Sequence, residues 1–223
     1  MSFTLAAKKV SSRNMQFNAL MLVLPRFTPS THKMMPIGHT KEFLRMAASN
    51  KWLMSSAAYY LDFFTVPLFV ALALCIAPLH LGEALAGLLT WSLVEYLVHR
   101  FLFHSLYRRE HWTHHLDVLA FIGISSWKTS SAYAGLLVLA WLTGLTSAFT
   151  GVIVGYFFYI SLHYVMHRPE HWAYRFISGL AVNHDLHHRK GVEKNFGVSS
   201  PLWDHVFGTY VRAPALSTVE ENT

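Results

Sequence analysis

Residues 95–104 read EYLVHRFLFH, which sets a carboxylate, two imidazoles and a guanidinium at the edge of a long apolar run. Burying a polar group without a hydrogen-bonding partner costs roughly 2–7 kcal/mol, depending on the reference state. Glu95, His99, Arg100 and His104 therefore need partners, and the sequence on either side shows of what kind.

The run is one of four, near 57–78, 82–99, 131–148 and 150–166. Each approaches the ~20 apolar residues that a helix needs to cross a bilayer. The gaps around Pro78 and Thr146 are so short that each pair reads as a helical hairpin. Of the 223 residues, 53% are hydrophobic and 13% charged, where a soluble domain carries about 25% charged residues. The one cysteine, Cys75, falls inside an apolar run, which excludes a disulfide framework and leaves a small hydrophobe. The fold expected is an all-α integral membrane protein: four transmembrane helices arranged as two hairpins, with a cytoplasmic histidine-rich helical cap.

The basic residues test the topology. All 18 Lys and Arg lie in the N-terminal region, the 99–130 connection or the tail after His167, and both hairpin turns lack them. The positive-inside rule then puts both termini and the central connection in the cytoplasm, at a bacterial inner membrane or the endoplasmic reticulum. No basic stripe with interleaved aromatics appears, so nucleic acid is not expected as a partner. Residues 1–50 read as a cytoplasmic N-terminal region, partly disordered or interfacial and without a cleavable signal pattern. Residues 51–212 form the membrane domain and 213–223 a C-terminal tail.

Ten of the 15 histidines fall into four groups: HRFLFH (His99, His104), HWTHH (His111, His114, His115), HYVMH (His163, His167) and HDLHH (His184, His187, His188). Helix positions three and four apart share a face, so the last three groups should each present their imidazoles together. Neutral imidazole suits Zn, Cu, Fe and Ni, and ten of them exceed what one metal can hold, so two metals are expected. HRFLFH is the exception. Five residues advance a regular helix by about 140°, so either the helix ends between His99 and His104 or the two serve different metals.

The order HxxxxH, HxxHH, HxxxH, HxxHH resembles the membrane fatty acid hydroxylase and sterol desaturase superfamily. NFGVSSPLWDHVFGT, Asn195 to Thr209, is similar to its C-terminal signature. EYLVHRFLFH is especially similar to the fatty acid 2-hydroxylase branch, although the short SLYRRE between the first two groups is closer to sterol-oxidase and carotenoid-hydroxylase relatives. The resemblance implies oxygen-dependent, di-iron oxidation of a lipid C–H bond, giving an alcohol or an alkene. It makes the ten grouped histidines the ligands of two iron ions, with molecular oxygen as co-substrate and no catalytic side chain outside the metal centre. With no fused electron-carrier domain, a separate electron-transfer protein is the expected donor.

Around the ligands, imidazole N–H groups need acceptors. Glu95, one turn before His99, is a candidate, as are Asn183 and Asp185 in the last group, and His171 and His205 beside the groups. Asp204 is expected to order its own turn, with support of a ligand as the alternative, Asp62 to snorkel to the interface, and Arg100 to anchor at headgroups. Of Tyr156, Phe157, Phe158 and Tyr159, at most two can line a cavity, because consecutive residues cover all sides of a helix. Trp112, Trp172 and Trp203 read as an interfacial belt. A zinc-dependent membrane hydrolase and a metal transporter are weaker readings: no HExxH occurs, and transporters place ligands at the bilayer midplane.

Overall fold

A computed structural model describes residues 49–190 and 193–212; the expected N-terminal region up to residue 48 and the tail from 213 lie outside the described residues. The first apolar segment is helical from Ser56 to Ile76, interrupted at Leu61 into α1 (Ser56–Tyr60) and α2 (Asp62–Ile76). Ser55 starts it by accepting the Ala58 N–H at 3.2 Å. It stops at Ala77, ahead of Pro78, which has no N–H with which to continue a helix. Then come α3 (Leu81–Leu97), a π-helical segment (Val98–Leu106), α4 (Arg108–Leu116), α5 (Ser126–Thr143) and α6 (Thr146–Met166). A 3₁₀ turn (Tyr174–Phe176), α7 (Ser178–Lys190) and α8 (Leu202–Val206) complete the order. Strand-like pairing among the described residues is confined to the bridge between Leu53 and Ile122.

Three stretches are long and apolar enough to cross a membrane: Ser56–Ile76, Leu81–Leu106 and Thr146–Met166. Leucines such as Leu68, Leu72, Leu85 and Leu89 are exposed on them, as lipid requires. The segment expected at 131–148 is shifted to Ser126–Thr143, since Gly144 adopts a left-handed conformation (φ 74°) that ends the helix early. Its first turns, SWKTSS, are polar, so α5 lacks the apolar length of the other three.

Packing centres on α6. Gly151 and Gly155 lie one turn apart on it and meet α3 with no room for a side chain. A Cβ on Gly151 would come 1.9 Å from the Ala84 carbonyl oxygen, and one on Gly155 would come 2.6 Å from the Trp91 ring. On the facing helix, a Cβ on Gly87 would come 2.0 Å from the Ala148 oxygen. Small residues of this kind let membrane helices pack backbone to backbone. The two hairpin turns are joined as well: Ser147 Oγ accepts the His80 N–H at 2.9 Å. On its other flanks α6 packs Phe149, Ile153 and Tyr156 against Val66 and Ala73 of α2 and Tyr133 and Leu137 of α5.

Gly151→Leu is expected to destabilise the fold at or beyond the ~1–3 kcal/mol usual for overpacking. Gly135→Leu, at a position with nothing within 4 Å, should be tolerated. Equal melting temperatures for the two variants in detergent would contradict this packing.

Candidate metal centre

The five-residue step of HRFLFH is resolved by neither expected route. The helix does not end between His99 and His104, and the pair is not divided between two clusters. Instead α3 widens into a π-helix over Val98–Leu106, whose i→i+5 bonding rotates the chain less per residue. Positions five apart come back towards one face, and the two rings lie 5.2 Å apart between centroids.

Ten histidines gather into two groups of five. His99, His104, His111, His115 and His187 form one; His114, His163, His167, His184 and His188 form the other. Within each group the donor atoms all lie within 4.8 Å of one another. HWTHH and HDLHH therefore do not keep three imidazoles on one face. The i,i+4 pair of each points to one cluster, and the third histidine, at i+3, falls across the seam and joins the other. The interleaving couples the clusters, and the His115 ring stacks on His188 with centroids 4.1 Å apart.

In the first cluster, His111 Nε2 lies 3.0 Å from His99 Nε2 and 2.9 Å from His115 Nε2, and His104 Nε2 lies 3.2 Å from His187 Nε2. In the second, His114, His163, His167, His184 and His188 are linked in that order by Nε2–Nε2 separations of 3.0–3.2 Å. Ligands about 2.1 Å from a transition metal and near right angles to one another stand about 3 Å apart, so the spacing suits a metal with more than four positions. The donor set is all imidazole nitrogen, which suits Fe, Zn, Cu and Ni.

The outward nitrogens fix which way the lone pairs face. His99 Nδ1 lies 2.5 Å from the Phe196 carbonyl and His187 Nδ1 lies 2.7 Å from the Lys194 carbonyl. Each Nδ1 thus carries the proton and donates it outward, leaving Nε2 as the inward base. Burial pushes the imidazoles outside the apolar spans towards the neutral form. His115 is brought down to about 3 and His187 to about 4. Burial and then neighbouring imidazoles hold His111, His114, His167, His184 and His188 well below their ordinary value.

The loop that supplies both carbonyls is set by two buried carboxylates. Asp204 accepts the Phe196 and Gly197 N–H groups, each at 2.8 Å, and the Thr209 hydroxyl at 2.7 Å. Glu95 does not meet an imidazole directly. Its Oε1 accepts the Val198 and Ser199 N–H groups at 2.7 and 2.8 Å, and its Oε2 accepts the Ser199 hydroxyl. Asn195 sits in the left-handed region at φ 53°, one of the residue types that tolerates it, and clasps Val211 through both its N–H and its carbonyl. Arg100 does not stand at the headgroups unpartnered: it donates to the Tyr96 hydroxyl at 2.8 Å, which lies 2.9 Å from Thr209 Oγ1.

Other candidates lie apart from the clusters. Asp185 pairs at the surface with Arg189 at 2.9 Å. The Asn183 carbonyl accepts from Asn195 at 3.3 Å. His171 accepts the Ala173 N–H, and His205 stacks on Tyr210. Trp112 and Trp172 are exposed, whereas Trp203 donates to Ser92. Lys194 and Phe196 were not legible as site residues, because a backbone carbonyl has no residue-type signal; Tyr96 and Thr209 act through hydroxyls that meet only across 113 residues of chain.

A cavity of about 280 Å³ adjoins both clusters, with His111, His114, His163 and His167 in its wall. Tyr156 and Tyr159 line it, while Phe158 faces outward. Asp62 also lines it; it is buried, not snorkelling, and bonded to Thr129 and Tyr156.

A helical membrane fold enclosing two five-histidine clusters beside an apolar cavity defines a narrow class of protein. The profile of the fatty acid hydroxylase family matches residues 84–209, and the chain belongs to that family. It is 33% identical over 142 residues to the ceramide very long chain fatty acid hydroxylase scs7 of Schizosaccharomyces pombe, covering 55% of this chain and 40% of that one. It is 33% identical over 141 residues to the dihydroceramide fatty acyl 2-hydroxylase FAH2 of Arabidopsis thaliana (55% and 58%). To the fatty acid 2-hydroxylase of Homo sapiens it is 30% identical over 149 residues (57% and 39%). The matches thus span about half the length of these relatives. The fold is similar to that of full-length scs7p, in which only the hydroxylase domain is visible, with a TM-score of 0.55 at 24% identity over 74% of this chain and 69% of that one.

Two expectations follow. Asp204→Ala frees the N–H of Phe196 and so loosens the carbonyl on His99. It is expected to lower metal affinity about 10–100-fold, read by competition with a chelator, while Asp185→Ala should leave affinity unchanged. In the metal-free protein, the unfolded chain takes up protons below about pH 6.5 that the buried imidazoles refuse. Stability should therefore be full above that value and fall as pH drops towards the depressed values near 4 and 3. A melting temperature that stays flat down to pH 4 would contradict it.

Proposed function

We propose that the chain is an oxygen-dependent di-iron hydroxylase of lipid acyl chains. The observation that carries this reading is that members of both clusters, His111 with His114, His163 and His167, form part of the wall of one largely apolar cavity. A lipid chain in that cavity lies against both candidate metal sites at once. The relatives named as fatty acid or fatty acyl hydroxylases support the same reaction class.

Bound iron supplies oxygen activation; the chain's own residues do the rest. Ten imidazoles hold the metals through inward nitrogens, and the Lys194 and Phe196 carbonyls keep the protons of His187 and His99 outward. Val94, Val98, Tyr159 and Ile160 orient the acyl chain and exclude water along the cavity. The loop at 118–124 walls it, held by the Met54 N–H on the Phe121 carbonyl at 3.0 Å and the Gly123 N–H on the Trp52 carbonyl at 3.0 Å. Electrons come from a separate electron-transfer protein.

In this reading α5 is a fourth span, joined to α6 by the turn at 144–145, with α2 packed on both α5 and α6. Both termini and the clusters face the cytoplasm. Arg108, Arg109, Arg168 and Arg175 lie on the segments next to the clusters, and the turns at 77–80 and 144–145 carry no Lys or Arg, in keeping with the positive-inside rule.

Purified protein is expected to hold two irons per chain and to place one oxygen atom from labelled O₂ in a lipid alcohol when a reductant is supplied. His114→Ala and His187→Ala, one from each cluster, should each abolish turnover. Product formed without oxygen, or full activity in both variants, overturns the proposal.

A further inference from the structure

Tyr156, Tyr159 and His163 stand three and four residues apart on α6 and so share one face of it. Their rings form a continuous file. Tyr159 stacks on the His163 ring with centroids 5.7 Å apart and an interplanar angle of 14°, and Tyr156 follows at 6.3 Å and 30°. Trp91 of α3 joins the file from the side, 5.2 Å from Tyr156 and 6.2 Å from Tyr159. Trp91 also borders an outer groove with Leu85, Leu89 and Phe158, all exposed. Tyrosine and tryptophan lose one electron far more readily than aliphatic side chains or phenylalanine. The file is therefore a path for an electron from the cavity wall to a histidine of the second cluster.

The far end of the file differs from the rest. Tyr156 is buried and donates its hydroxyl proton to Asp62 Oδ2 at 2.6 Å, the length of a hydrogen bond to an ionised acceptor. Thr129 donates to Asp62 Oδ1 at 2.9 Å, which fixes the carboxylate against the phenol. Among the described residues no other phenol donates to a carboxylate. Packing accounts for the ring contacts, since aromatic pairs are favourable wherever they meet at these distances. It does not account for a carboxylate within an apolar span, where taking a charge out of water costs several kcal/mol. An uncharged acceptor would tie the same helices. A base on the phenol has a consequence that an amide lacks. A phenol that loses an electron becomes a strong acid, and a base already in place lets electron and proton leave together at a lower potential.

We propose that Tyr156 is a redox-active tyrosine, with Asp62 as its proton acceptor and Tyr159 as its electronic contact to His163. One electron leaves the Tyr156 ring through Tyr159 for the metal sites, while the phenolic proton crosses to Asp62 Oδ2. A neutral tyrosyl radical and a protonated carboxyl remain. The electron donor of the hydroxylation later returns the electron, and Asp62 returns the proton. Tyr156 precedes His163 by seven residues on α6, two turns or about 10 Å, a span that an electron tunnels across with an aromatic ring between. The step discharges oxidising equivalents made when oxygen is activated and the cavity holds no C–H bond to attack, before they reach the ligating imidazoles. The inference rests on the oxygen-activating reading above and adds a protective electron path to it.

The test traps the radical. The full chain in detergent, loaded with ferrous iron and free of lipid substrate, is mixed with oxygen and a nitroso spin trap, and the trapped residue is located by peptide mass spectrometry. Wild type should carry the adduct on Tyr156 and, frozen without the trap, show a tyrosyl signal by electron paramagnetic resonance. Tyr156→Phe should lose both. Asp62→Asn keeps the shape but not the basicity and should lower the yield several-fold, as should Tyr159→Leu, which removes the ring between. In the metal-free chain, oxidised by light with a ruthenium photosensitiser, trapping should again favour Tyr156 and lose that preference in Asp62→Asn, whereas Tyr159→Leu should keep it. An adduct spread evenly over the tyrosines, or an Asp62→Asn protein that matches wild type, overturns the relay. A Tyr156 adduct in protein that forms no lipid alcohol would instead overturn the hydroxylase reading and leave the relay standing; lipid alcohol from protein that never carries the adduct does the reverse.

Discussion

The site depends on keeping ten imidazoles neutral with their lone pairs turned inward. Nitrogen bases about 3 Å apart repel one another unless a proton or a metal lies between them, and burial makes the proton unfavourable. His184 and His187 are 2% and 0% exposed, so water cannot relieve the repulsion. For His99 and His187 that orientation is imposed from outside the clusters, by the C-terminal loop. The Phe196 and Lys194 carbonyls fix two protons on the outward nitrogens, and Asp204 and Glu95 hold the loop by its own N–H groups. The buried carboxylates therefore act on the imidazoles through the backbone.

This explains the polar groups of EYLVHRFLFH. Glu95 meets Val198 and Ser199, Tyr96 meets Thr209, His99 meets Phe196, Arg100 meets Tyr96, and His104 meets His187. Every one of these partners except Tyr96 lies in α7 or the C-terminal loop. The end of a membrane-facing helix and a segment about a hundred residues later are thus one structural unit.

The spacing of the histidines was legible in the sequence, and so was their division between two centres. Which histidine joins which centre was not, because the argument assumed regular helices. A π-helix changes the angular step over Val98–Leu106, and no local residue pattern announced it. In HWTHH and HDLHH the geometry was regular, but two centres on either side of a helix divide a face that one centre would have shared. The apolar segments were legible to within a few residues, except where Gly144 stopped α5. Gly87, Gly151 and Gly155 have meaning only once the facing helix is known. Asp62 was misjudged for a related reason: its partners, Thr129 and Tyr156, come from helices 67 and 94 residues away.

Those separations bear on how the site forms. His99 and Phe196 are 97 residues apart, and Glu95 and Ser199 are 104. Closing loops of that length has an entropic cost that grows slowly with length, but it must be met before any contact is made. The backbone contact of α3 with α6 through Gly87 and Gly151 already brings the end of α3 beside the end of α6, so much of that cost is met by helix packing in the membrane. What remains is to fold α7 and the loop onto a preformed pair of helix ends. Each cluster takes histidines from both sides of that last step: His99, His104, His111 and His115 with His187, and His114, His163 and His167 with His184 and His188. A metal bound at either place therefore favours docking of the C-terminal segment, and docking in turn completes the ligand set.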